Sequence, residues 1–98
     1  MGFEYRAAGE SHLLSACFNK ICDLLKTSDR FQVLGDQNKK IVFRWTSHPI
    51  DEKWHEDGVL HFEADHLYLL IHGAPRQAIE ALLDEINSFE SGVTFKEI

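Results

Sequence analysis

The sequence predicts an α+β domain, a two-layer sandwich in which two helices pack on one face of a mainly antiparallel sheet. Three observations carry this. Two segments repeat apolar residues at helical spacing, shorter segments rich in β-branched and aromatic residues surround them, and turn residues divide the latter into hairpins. The order is β-α-β-β-β-β-α-β, with strands grouped rather than alternating with helices, which argues against a parallel α/β fold. The 98 residues read as a single domain, 1–98, with no repeat or low-complexity segment.

The first strand is Phe3-Glu4-Tyr5-Arg6-Ala7, which alternates weakly. A helix follows over Ser11–Lys26, where Leu14, Cys17, Phe18, Ile21 and Leu25 share an arc about 100° wide. Glu10 and Lys26 carry the signs that suit the two ends of its dipole. Phe31–Leu34 and Ile41–Trp45 flank the polar cluster Gly35-Asp36-Gln37-Asn38 and read as a hairpin, with Phe31 opposite Phe43 and Val33 opposite Ile41. On its other face that register sets Arg30 beside Arg44 and Gln32 beside Val42. Val59–Ala64 and Leu67–His72 read as a second hairpin turning at Asp65-His66. It would pair Leu60 with Ile71, Phe62 with Leu69 and Ala64 with Leu67 on a core face. Val59, His61, Glu63, Tyr68, Leu70 and His72 then fall on the opposite face. The second helix spans Pro75–Glu90, with Ala78, Ile79, Leu82, Leu83, Ile86 and Phe89 inward and Gly92 at its stop. Val93–Lys96 closes the sheet.

Ten basic and sixteen acidic side chains leave a formal charge of −6. This disfavours a nonspecific nucleic-acid binder, which needs cations to displace counterions from phosphates. No apolar run approaches the roughly 20 residues of a membrane span, and Met1-Gly2-Phe3-Glu4-Tyr5 resembles no signal peptide. Cys17 and Cys22 lie about 140° apart around one helix, too divergent for an unstrained bridge. Two free buried thiols point to a reducing, cytoplasmic setting.

Two groups of residues bear on function. His61, Glu63, Tyr68 and His72 share the face away from the helices and form an alternative small-ligand, metal or acid–base site. Metal-ligand spacings are missing from the sequence, however, and His61-Phe62-Glu63 has no Cys-x-x-Cys to follow it. With no phosphate loop or nucleophile elbow either, neither a catalytic residue, a cofactor nor a metal is expected. The charge distribution says more. Residues 1–49 hold seven basic and five acidic side chains, net +2, whereas residues 50–98 hold three and eleven, net −8. Asp51, Glu52, Trp54, Glu56 and Asp57 place an aromatic among carboxylates, and Glu80 and Asp84 lie opposite the apolar stripe of the second helix. An aromatic anchor ringed by acids suits capture of a basic protein partner.

In size, charge and this acidic segment around Trp54, the sequence resembles, in general character, the small acidic immunity proteins that bacteria make against their own secreted toxins. The resemblance implies a compact, noncatalytic cytosolic inhibitor that neutralises a basic toxin or nuclease, with no direct contact to nucleic acid or membrane. A homodimeric scaffold joined through sheet faces or edge strands is a third reading.

Overall fold

The computed structural model describes residues 2–47, 56–72, 74–89 and 92–98. Its elements are β1 (Gly2–Ala8), α1 (Ser11–Thr27), β2 (Phe31–Gln37), β3 (Lys40–Trp45), β4 (Gly58–Phe62), β5 (His66–His72), α2 (Arg76–Asn87) and β6 (Lys96–Glu97). The strands form one antiparallel sheet in the order β2-β3-β4-β5-β1-β6. Both helices cover the same face, giving the two-layer α+β architecture that the element order implies.

The layers meet through the stripes that the sequence displays. Leu14, Cys17, Phe18, Ile21, Cys22 and Leu25 of α1 are buried, as are Ile79, Leu82 and Ile86 of α2. They pack on Ile41, Phe43, Leu60, Leu67, Leu69 and Ile71 of the sheet, none more than 1% exposed. Phe62, Ala78, Leu83 and Phe89 sit at the margin of this core, partly buried. Phe62 leans on Phe18, their ring centroids 5.7 Å apart, and the Lys39 ammonium lies over its ring.

Both hairpins fold in a different register from the one the turn residues imply. In β4–β5 the pairs are Leu60 with Leu69, Phe62 with Leu67 and Gly58 with Ile71. The turn is Ala64-Asp65, closed by the Glu63 N–H donating to the His66 carbonyl at 2.9 Å, and Ala64 is exposed. The pairing has slid by two residues, which exchanges partners and leaves the paired side chains on their expected faces, but moves Ala64 from the core face into the exposed turn. In β2–β3, Phe31 faces Trp45, Val33 faces Phe43 and Gln32 faces Arg44, and Gly35 takes the place opposite Val42. The strands run on to Gln37 and Lys40 because Asn38 and Lys39 adopt φ of 56° and 59°, the pair of positive angles that a type I′ hairpin turn requires. The extra residue is absorbed by a bulge between Val33 and Gly35, which leaves Leu34 exposed.

The helix ends differ as well. Pro75 caps α2 from outside instead of opening it, and the helix stops at Asn87. There the Ser88 hydroxyl donates to the Glu85 carbonyl, and the Asn87 side-chain oxygen accepts from the Phe95 N–H. These polar side chains satisfy backbone groups at the stop, and Gly92, with φ of 78°, lies beyond it in the return to β6. Glu90 falls outside the described residues. The last strand is only Lys96–Glu97, although Val93 and Phe95 are buried as a longer strand would have had them.

One glycine is required by packing. A Cβ on Gly58 would stand 2.6 Å from Phe43 Cζ. Phe43 cannot withdraw, because its ring is fully buried against Phe31 and Trp45 at centroid distances of 5.9 and 5.6 Å. Gly58→Ala should therefore destabilise the fold by about 1–3 kcal/mol in urea denaturation. Shortening the ring in the Gly58→Ala, Phe43→Leu pair should recover part of that loss, where independent effects would add.

Cys17 and Cys22 are buried thiols that form no disulfide. Burial, with a smaller contribution from Asp36, pushes the Cys22 thiol up from about 9 to about 11. Neither thiol should react with Ellman's reagent at pH 8 in the native protein, and both should react in denaturant. Because the unfolded chain gives up the Cys22 proton at lower pH than the folded one, stability should fall as pH rises from about 9 towards 11. Urea midpoints across that range measure it.

Candidate functional site

The expected acidic segment joins β3 to β4, two strands that pair side by side. Such neighbours need only about two to five connecting residues, yet this connection runs from Thr46 to Asp57. Its described ends are firmly held. The Thr46 N–H donates to the Arg30 carbonyl at 2.9 Å, and the Thr46 hydroxyl donates to the Asp29 carbonyl at 2.8 Å. Asp57 binds three strands together. Its N–H donates to the Phe43 carbonyl, its carboxylate accepts from the Trp45 N–H at 2.8 Å, and its carbonyl accepts from the His72 N–H at 2.8 Å. Asp57 thus anchors the segment, a role that charge counting does not reveal. Glu56 lies 3.9 Å from His72 Nε2, both partly buried. Asp51, Glu52 and Trp54 lie outside the described residues.

On α2, Glu80 and Asp84 are both exposed, as the helical projection requires. Glu80 accepts from Arg76 one turn earlier at 3.1 Å, an exposed pair of the kind that contributes little to stability. Among the described residues Asp84 is in no ion pair within 4 Å. Glu85 accepts two bonds from Arg30, at 3.0 and 2.8 Å, which ties α2 to the start of β2. Lys26 of α1 similarly holds Asp36 of β2. These pairings neutralise part of the charge that the sequence shows only as a total. The Lys26 and Arg30 pairings are not legible in the sequence, because each joins residues brought together by the fold.

The four residues expected on the helix-free face are there, but they do not converge. His61 and Tyr68 are direct cross-strand partners. Glu63 lies exposed beyond the end of β4. His72 is four residues along β5 from Tyr68, about 13 Å at strand rise, beside Glu56 and Asp57. Among the described residues no group of three His, Cys, Asp or Glu side chains is placed to hold a metal ion. Tyr68 instead donates its hydroxyl to Glu4 of β1, and that bond to the carboxylate holds the phenol above its ordinary value. Likewise Asp65 accepts from His66 at 2.8 Å, which draws its carboxyl below the usual range.

Pairing across the sheet extends the His61–Tyr68 contact into a row that the sequence does not suggest: Lys40, His61, Tyr68, Arg6 and Lys96, one from each of β3, β4, β5, β1 and β6. The adjacent row is Val42, Val59, Leu70 and Glu4.

Removing the Asp57 carboxylate leaves the Trp45 N–H without that acceptor. Asp57→Ala should cost about 1–3 kcal/mol by chemical denaturation, and Asp57→Asn, which keeps an oxygen at that position, should lose much less. No family model, curated protein or solved structure matches the chain.

Proposed function

We propose that the chain is a noncatalytic binding module that captures a basic protein partner, in the manner of an immunity-type inhibitor of a toxin or nuclease. The observation that carries this reading is the connection between β3 and β4. It is far longer than their pairing requires, it is anchored by Asp57 to three strands, and its sequence sets Trp54 among Asp51, Glu52 and Glu56. Length beyond structural need, on a rigid root, is typical of binding loops. The surplus of eight negative charges in residues 50–98 supports it, with exposed Glu80 and Asp84 on α2 extending the acidic surface.

Binding then proceeds in two physical stages. The carboxylates attract a cationic partner over about a Debye length and speed encounter. Trp54 afterwards supplies apolar area removed from water, which slows release. Quantitative affinity capture with wild-type protein and with the Asp51→Lys, Glu56→Lys double variant as baits provides the test. The wild type should retain a basic protein that the double variant loses. With that partner purified, the double variant should slow association at least tenfold at low salt and little near 1 M, where the Debye length is about 3 Å. Trp54→Ala should act on dissociation, by about 2 kcal/mol. Equal capture and equal kinetics by folded variants would refute the reading.

A further inference from the structure

The helix-free face gathers the cations that the rest of the molecule leaves unused. Among the described residues, Lys26, Arg30 and Arg76 hold carboxylates, Lys20 holds the Phe89 carbonyl, Lys39 lies over the Phe62 ring and Arg44 holds Gln32. Among the described residues no carboxylate lies within 4 Å of Arg6, Lys40 or Lys96, and all three are exposed in the one row described above. Arg6 and Lys96 face each other directly across β1 and β6. Like charges in that relation repel and lower sheet stability.

Two neighbouring acids are engaged in hydrogen bonds. Glu4 accepts the Tyr68 hydroxyl and Asp65 accepts from His66. Glu97 pairs with Tyr5, whose phenol is raised by burial and, to a smaller extent, by the Glu97 charge. Beside the two cations lies a groove of about 670 Å³, with Arg6, Lys96, Thr94 and one carboxylate, that of Glu97, in its lining.

From this we infer that Arg6 and Lys96 form a binding site for a phosphate monoester. A single carboxylate offsets only one of two adjacent cations. A phosphate monoester brings a charge of about −1.5 to −2 at neutral pH and three acceptor oxygens. The Arg6 guanidinium fork takes two oxygens and the Lys96 ammonium takes the third, with the Thr94 hydroxyl available at the groove wall. The phosphate arrives either on a small ester or on a phosphorylated peptide, and a peptide lying along the row reaches Tyr68, His61 and Lys40.

The test is an NMR titration of the full chain with inorganic phosphate, against sodium chloride at matched ionic strength. Saturable amide shifts should centre on Arg6, Thr94 and Lys96, and the Arg6→Gln, Lys96→Gln double variant should bind at least tenfold more weakly. The two single variants are titrated alongside, so that misfolding of the double does not mask the result. Phosphate should also raise the wild-type Tm more than that of either single variant. Glycerol phosphate and a phosphoserine peptide then separate the sources. Tighter peptide binding that Lys40→Gln weakens assigns the phosphate to a protein segment, and equal or tighter binding of glycerol phosphate assigns it to a small ester. Shifts that chloride reproduces, or affinity unchanged in the variants, would overturn the site. Neither result bears on the acidic segment, whose test uses different residues.

Discussion

The Phe43 ring fills the space where Gly58 has no side chain, and much of the architecture depends on that contact. It lets β4 approach β3 closely over the most aromatic part of the core, where Phe31, Phe43 and Trp45 pack together. With Gly58 fixed there, Asp57 is held where its carboxylate meets the Trp45 N–H and its backbone reaches β3 and β5. Three strands are joined at one residue, and the acidic connection starts from that rigid point. Core packing and the presentation of a surface segment are thus one arrangement.

Charge is sorted by the same fold. Acids on the helical side are partly matched by Lys26, Arg30 and Arg76, and the first two matches also tie α1 to β2 and α2 to the start of β2. The unmatched cations fall on the opposite face, in a row made by the cross-strand register. A protein of net charge −6 therefore has a locally basic surface. Total charge describes long-range attraction, whereas the row describes what is felt at contact distance.

The fold class was legible because periodicity reports which side of an element is buried, and burial drives folding. Leu14, Phe18, Ile21, Leu69, Leu82 and Ile86 share one core for that reason. Register was not legible, because a slide of two residues preserves every face: Leu60 is equally apolar opposite Ile71 or Leu69. The β2–β3 turn was misplaced because Gly35 and Asp36 look like turn residues, while the positive angles fall on Asn38 and Lys39 and a bulge takes up the difference. Of the candidate sites, the positions of His61, Tyr68, Glu80 and Asp84 followed from alternation and helical projection. The anchoring role of Asp57, the Tyr68–Glu4 bond and the cationic row did not, since each needs strand pairing between segments remote in sequence.

The sheet order has a consequence for the timing of folding. β1 pairs on one edge with β5 and on the other with β6, both remote from it in sequence, and the Ile98 N–H donates to the Glu4 carbonyl at 2.9 Å. Its place in the sheet is bounded on both sides by non-local partners. The helix α1 and the β2–β3–β4 meander have local partners and can collapse early, while residues 2–8 must wait for a long loop to close. The docking of β5 therefore sets how long the apolar side chains of Phe3, Tyr5 and Ala7 stay without their sheet neighbours.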